Sequence, residues 1–169
     1  MAFFIIPRYG KSLQSIVRKQ KESLNLSSVL NLGIHLLNIL EAIHDSGLVY
    51  NDLKLDNILL DMCENLPKIS KKSFENCFEN LHLNLIDFGL VSHWQNPKTS
   101  EHYPEQMVNY FRGNIYFASC YKFEYLRASR RDDLHSLTYL LIYLLNDCQI
   151  PALDELKHLS LKNKGKKDC

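Results

Sequence analysis

The sequence predicts a mainly α-helical fold with one small β-hairpin, because two long apolar segments have helical periodicity and two short segments resemble paired strands. The first helical segment carries apolar side chains at spacings of one, three and four, from an N-cap at Ser27 or Ser28 to a left-handed cap at Gly47. The second helical segment covers residues 130–147.

The strands of the expected hairpin are residues 58–60 and 81–86. The first is a short apolar run, and the second alternates apolar and polar residues. The remaining segments are assigned as a buried strand over 2–6, a turn at Gly10, a short helix over 11–20, a polar insert or loop over 62–80, irregular structure over 90–129 and a basic C-terminal tail over 153–169.

Composition limits the class of protein. The chain has 169 residues, of which 46% are hydrophobic and 23% charged, and these values fit one globular domain. Its net charge of +1 gives no strong field, so we expect neither nucleic acid nor a membrane as a partner. Five cysteines without C-x-x-C spacing, and no signal peptide, predict a cytoplasmic or nuclear rather than a secreted protein. The oligomeric state stays open.

Polar side chains concentrate where the two strands of the hairpin meet. Asn57 directly precedes the first strand and Asp87 directly follows the second. In an antiparallel pair these positions lie at the same end, so an amide and a carboxylate oxygen should converge. Such oxygens suit Mg²⁺ bound to phosphate, so the sequence predicts a metal site at Asn57 and Asp87.

Two further polar residues precede the first strand in the stretch "VYNDLKLDNILLD". Asp52 can accept a proton, and Lys54 can neutralise a phosphoryl group during transfer. Positioning and charge are what phosphoryl transfer requires from a protein, so Asp52 and Lys54 are the candidate catalytic residues.

The order Asp52-x-x-x-x-Asn57, a strand, and then Asp87-Phe88-Gly89 resembles the catalytic loop and metal motif of protein kinases. The segment "SRRDDLHSLTYLLIYLL" after "YFAS" is similar to the casein kinase 1 family. The resemblance implies a kinase-like large (C-terminal) lobe over residues 1–152, with ATP and Mg²⁺ as cofactors and Ser or Thr of a protein substrate as acceptor. It also implies that Asp133 hydrogen-bonds the backbone of the catalytic loop, although helix capping is an alternative.

The stretch "IIPRYGKSL" resembles the hinge of the same family. The resemblance assigns to the adenine site Ile6 as gatekeeper, Pro7 and Tyr9 through their backbone atoms, and Leu59 and Ile86 as the floor. Plain core packing is an alternative for the apolar members of this set.

The sequence departs from the kinase pattern in its extent and in its catalytic loop. It contains no G-x-G-x-x-G loop and no V-A-I-K lysine, so the resemblance implies a large lobe truncated at both ends and inactive as an isolated fragment. A non-catalytic protein-binding module is the alternative function. The family's His-Arg-Asp is replaced by Tyr50-Asn51-Asp52, which makes control through a phosphorylated activation loop doubtful.

The family's arginine before the Y-A-S-type segment is replaced by Tyr116, which removes one basic anchor for acidic or phosphorylated substrates. Other basic residues remain nearby in sequence, and for each of them a solvated charge or a structural contact is the favoured interpretation: Arg112, Lys122, Arg127, Arg130 and Arg131.

Overall fold

The structure, a computed structural model, describes residues 7–18, 24–61 and 82–149. The expected strand over 2–6 with Ile6, the insert over 62–80 and the tail over 153–169 lie outside the described residues. The described elements, in chain order, are α1 (Leu13–Val17), α2 (Leu26–Asp45), β1 (Leu48–Val49), a 3₁₀ turn (Leu55–Asn57), β2 (Ile58–Leu60), β3 (Leu83–Leu85), a 3₁₀ turn (Phe88–Leu90), β4 (Ser92–His93), α3 (Cys120–Phe123) and α4 (Arg130–Leu145).

Helices α2 and α4 pack against each other and form the centre of the fold. One face of α2 is fully buried, and Leu140 and Leu144 of α4 are buried in the same cluster. Burial of each such leucine contributes about 1.5 to 3 kcal/mol. The sequence segment 130–147 therefore forms the expected helix, which ends two residues earlier, at Leu145.

The N-cap of α2 differs from the expected one. The helix begins at Leu26, and the side chain of Asn25 accepts a hydrogen bond from the backbone N–H of Ser28 at 2.7 Å. The assignment of Ser27 or Ser28 as the cap was therefore wrong, because Asn25 is an equally good cap residue placed one position before the apolar periodicity starts. At the other end Gly47 has φ +81°, so the left-handed cap is confirmed.

The expected hairpin is present. Strands β2 and β3 pair antiparallel, with Ile58 opposite Leu85 and Leu60 opposite Leu83. Ile58, Leu60 and Leu85 are buried. Helix α1 packs beside this hairpin, and its N-cap residue Ser12 forms a bridge to Leu59.

A second two-stranded sheet was not anticipated. Strand β1 pairs antiparallel with β4, joining Leu48 to His93 and Val49 to Ser92. Two-residue strands carry too little periodicity to be recognised in a sequence. This sheet fixes the backbone directly before the catalytic-loop segment to the backbone directly after Asp87-Phe88-Gly89.

Helix α2 is exposed along one side. Leu26, Leu30, Ile34 and Leu37 are 47% to 59% exposed, and they form an apolar stripe on the side away from the core. Among the described helices, α2 is the one that is long and apolar enough to cross a membrane by length and composition. The opposite face of α2 is part of the core, and this burial explains why the residues on that face are apolar.

Candidate active site

Asp133 of α4 holds the backbone of the loop that follows β1. One carboxylate oxygen accepts the N–H of Tyr50 at 2.7 Å, and the other accepts the N–H of Asn51 at 2.8 Å. His44 contacts the same carboxylate at 2.9 Å through Nε2. Asp133 is completely buried, so these contacts replace its hydration. The expected contact between Asp133 and the loop backbone is thereby confirmed.

The neighbouring Asp132 has the capping role. Its side chain accepts the N–H of Ser129 at 2.7 Å in a capping box, and it also accepts the hydroxyl of Ser119. Adjacent aspartates at the beginning of one helix thus have different functions. Asp132 fixes the helix start and Asp133 fixes the loop.

The carboxylate of Asp52 is oriented by two neighbours. Lys54 Nζ and Asn57 Nδ2 donate to Asp52 Oδ2 at 2.6 and 2.9 Å, and Asn57 Nδ2 also lies 3.1 Å from the Asp52 carbonyl. Asp52 is 3% exposed. The structure therefore brings three of the sequence-selected residues into one cluster, in which Lys54 pairs with a nearly buried carboxylate.

Asn57 and Asp87 lie at the same end of the hairpin. The backbone N–H of Ile86 donates to the carbonyl of Asn57 at 3.0 Å, which places Asp87 one residue beyond that contact. Asp87 is exposed and adopts a left-handed conformation with φ +62°, and its side chain accepts the N–H of Gly89 at 3.3 Å. A single cation shared by their side-chain oxygens stays a prediction.

The donor set at this end of the hairpin fits Mg²⁺. The amide nitrogen of Asn57 donates to Asp52, so its amide oxygen is the atom that could bind a cation, and the Asp87 carboxylate is accessible. Within residues 7–18, 24–61 and 82–149, no cluster of three or more His, Cys, Asp or Glu side chains forms a metal cage. This composition fits Mg²⁺, which usually takes one or two protein oxygens and completes its shell with phosphate and water.

Tyr50 takes the place of the family's histidine and connects the loop to the Asp87 segment. Its ring meets Phe88 edge to face, with centroids 5.5 Å apart. Its hydroxyl donates to the carbonyl of Ile86 at 2.5 Å. Burial raises the pKa of the Tyr50 phenol above its ordinary value, and the nearby side chain of Asn57 offsets part of that rise. An aromatic ring therefore provides the packing contact to Phe88.

The described residues of the expected adenine site lie beside the hairpin. Gly10 N–H donates to the carbonyl of Leu60 at 2.7 Å, so the chain from Tyr9 runs along β2. A Cβ on Gly10 would stand 2.8 Å from the Asp61 carbonyl, which explains the glycine at this close approach. Leu59 and Ile86 are half-buried, Tyr9 is half-buried and Pro7 is exposed.

The five basic residues noted in the sequence have structural contacts. Arg127 stacks on Tyr103 at 3.7 Å and Arg130 on Trp94 at 3.9 Å from the ring centroids. The others follow the same pattern: Arg131 stacks on Tyr121 and pairs with Glu105, Arg112 donates to the Val91 carbonyl, and Lys122 donates to the Asn51 carbonyl.

Sequence reasoning did not recognise the supporting roles of two residues of the site, Asn51 and Lys122. The side chain of Asn51 donates to the carbonyl of Leu90 and to the hydroxyl of Ser92, both at 2.9 Å, and so connects the catalytic loop to β4. Lys122 is buried below this loop. The positive φ of Asn51, +73°, is a conformation that asparagine tolerates better than most residues, and this preference was the signal available in the sequence.

A protein-family model described as the protein kinase domain matches residues 3–166 of the chain. The chain belongs to the protein kinase family. This kinase chain is 32% identical over 142 residues to Casein kinase 1-like protein HD16 of Oryza sativa subsp. japonica, a match that covers 83% of this chain and 18% of the rice protein.

A second relative is Casein kinase I homolog RAG8 of the yeast Kluyveromyces lactis. It is 27% identical over 147 residues, which cover 87% of this chain and 25% of the yeast protein. The printed names of both relatives confirm the resemblance to casein kinase 1. The kinase chain spans a quarter or less of the length of these two relatives.

Proposed function

We propose that this chain carries the catalytic loop of a serine/threonine protein kinase of casein kinase 1 type, which transfers the γ-phosphate of ATP to a protein hydroxyl. One observation carries the proposal. The buried Asp52 carboxylate is oriented by Lys54 and Asn57, on a backbone that Asp133 holds from the core. A carboxylate fixed in this way suits proton transfer from an acceptor hydroxyl.

Asp52 acts as the proton acceptor. Its Oδ2 atom receives both described side-chain hydrogen bonds, so we assign Oδ1 to the substrate hydroxyl. The proton of a serine or threonine hydroxyl passes to this oxygen while the hydroxyl oxygen attacks the γ-phosphorus, and the bond from that phosphorus to the bridging oxygen breaks, so that ADP leaves. Lys54 is 28% exposed and lies 2.6 Å from Asp52, where its charge can also stabilise the transferring phosphoryl group.

Asn57 and Asp87 are the proposed metal ligands, and Mg²⁺ there would offset the negative charge of the ATP phosphates. Adenine would lie over the face of the hairpin that carries Leu59 and Ile86. Leu59 follows the buried Ile58, and Ile86 follows the buried Leu85. Because successive side chains in a strand point to opposite faces, Leu59 and Ile86 share the face away from the core.

The chain also corresponds, in our proposal, to the large lobe of a kinase, and residues 1–169 alone should lack useful turnover. In-line positioning of a phosphoryl group can supply about 7 to 11 kcal/mol of a barrier, and a glycine-rich loop that would provide it is absent from these residues. A non-catalytic binding module is the second candidate. The exposed side chains of Ile115 and Tyr116, 67% and 61% accessible, favour a docking role.

The test measures Mg·ATP binding and phosphate transfer to casein by purified residues 1–169, and by the same chain fused behind a casein kinase 1 small lobe. We expect turnover only in the fusion, and its loss in Asp52→Asn. The matched control is Asp56→Asn, which changes an exposed carboxylate in the same loop. A fusion that stays inactive while binding Mg·ATP would favour the binding module. Robust turnover by residues 1–169 alone would contradict the proposed need for a second lobe.

A further inference from the structure

Asn51 connects the catalytic loop to several other parts of the structure. Its N–H donates to Asp133, and its side chain donates to Leu90 and Ser92. Its carbonyl oxygen is the remaining backbone group, and it belongs to the peptide bond that leads into Asp52. Whatever holds this carbonyl therefore helps to set the direction in which the Asp52 side chain leaves the loop.

The donor to that carbonyl is Lys122, 71 residues further along the chain. Its Nζ lies 3.1 Å from Asn51 O, and the residue is 5% exposed. Burying an ammonium group is costly, because it loses its hydration. Burial lowers the pKa of Lys122 below its ordinary value, although nearby carboxylates act in the opposite direction.

Gly113 allows the same segment to approach the carbonyl closely. Its φ is +110°, and a Cβ there would stand 2.1 Å from Asn51 O and 3.2 Å from Lys122 Nζ. Asn51 O is therefore enclosed by the backbone of Gly113 and the ammonium of Lys122. Gly113, before α3, and Lys122, within α3, thus converge on one atom of the catalytic loop.

We propose that Lys122 is a positioning residue, whose buried ammonium holds the Asn51 carbonyl and thereby fixes the backbone that presents Asp52. The importance of this geometry for phosphoryl transfer rests on the proposed function. Lys122 acts through Asn51 rather than on the substrate, since its described hydrogen bond is to the backbone carbonyl.

An anion-binding role is the competing assignment. Lys122 lines a small cavity together with Arg112 and Arg127. The contacts favour positioning, because Arg112 donates to the Val91 carbonyl, Arg127 is stacked on Tyr103, and the ammonium of Lys122 is directed at Asn51.

The experiment is amide hydrogen exchange by NMR on ¹⁵N-labelled residues 1–169, comparing wild type, Lys122→Met and Lys98→Met, the last of which changes an exposed lysine. In Lys122→Met we expect exchange of the Asn51 and Asp52 amides to rise about tenfold relative to α2, the effect of losing one hydrogen bond. The melting temperature should fall only modestly, because the Asn51 carbonyl loses its donor while the cost of burying the ammonium is removed.

A merely structural lysine would give exchange that is faster to the same extent in α2 and in the 51–52 backbone, and that result overturns the proposal. Unchanged exchange at Asn51 and Asp52 overturns it as well. If Lys122→Met does not fold, a measurement on the wild-type protein tests the proposal instead. The Lys122 ammonium protons should give a slowly exchanging signal with a nuclear Overhauser contact to the 51–52 backbone, and absence of that signal overturns the proposal.

Inorganic phosphate tests the anion-binding alternative in the same sample. A shift of the Lys122 signal at low phosphate concentration would show that the ammonium binds anions, and would overturn the positioning role. No measurement here requires phosphoryl transfer, so failure of this inference and failure of the proposed kinase function are separate results.

Discussion

The catalytic loop and the Asp87 segment face the same proposed phosphate site, but they are held in different ways. The loop is buried, and Asp133 fixes its backbone. Asp87 and Phe88 are exposed, and the described support of the Asp87 carboxylate is one long contact to Gly89. With the proposed roles, the protein itself orders the proton-transfer group, and we expect the metal-binding group to become ordered when Mg·ATP binds.

The largest effect is expected from a substitution that releases the buried catalytic loop. Asp133→Ala removes the acceptor of three groups, namely Tyr50 N–H, Asn51 N–H and the ring of His44. We expect the free energy of unfolding to fall by about 3 to 5 kcal/mol, because these buried groups lose their partner. Chemical denaturation measures it.

Asp45→Ala serves as the control, since it removes an exposed carboxylate from the end of α2. Its free energy of unfolding should change by no more than about 0.5 kcal/mol. Similar losses in the two variants would show that Asp133 does not hold the loop.

A smaller effect concerns the connection between the two regions. Tyr50→Phe keeps the contact with Phe88 but removes the hydrogen bond to the Ile86 carbonyl. The partly buried Ile86 carbonyl then lacks its partner, so we expect a loss of about 1 kcal/mol in the free energy of unfolding at neutral pH. Tyr116→Phe, at an exposed tyrosine, should have little effect.

Tyr50→Phe should also change the pH dependence of stability. The pKa of Tyr50 is raised in the folded state above the unfolded value of 10.0. The contribution of the un-ionised phenol to the free energy of unfolding is therefore fully present below pH 10.0, and it is lost as the pH rises through the pKa of the folded state. Wild type should lose more stability than Tyr50→Phe between neutral and strongly alkaline pH. Parallel pH profiles would contradict the burial of the phenol.

The hairpin and the two long helices could be predicted because their signals are local. The periodicity of α2 and α4, and the alternation around Leu83–Leu85, are properties of consecutive residues. The N-cap at Asn25 was missed because several cap residues stand in a row. The exposed stripe of α2 was missed because periodicity shows that a helix is apolar, but not which of its faces meet a neighbour.

The chemically functional residues of the site could be recognised from the sequence. The residues that hold them in place could be recognised only in part. Asp52, Lys54 and Asn57 were recognised from their spacing, and Asp133 from a family resemblance. Lys122 had no such signal, because its contact with Asn51 joins residues far apart in sequence and depends on the close approach of Gly113. A buried lysine and a solvated one look the same in a sequence.

The most direct test of the account is an NMR titration of ¹⁵N-labelled residues 1–169 with millimolar Mg·ATP. We predict shifts of the amide signals around Asn57, Asp87 and Gly89, with little change at Tyr50 and Asn51, which Asp133 already holds. Asp87→Asn should remove the Mg²⁺-dependent part of these shifts. No response around Asn57 and Asp87, or a rearrangement centred on Tyr50 and Asn51, would contradict the division between an ordered catalytic loop and a ligand-ordered metal site.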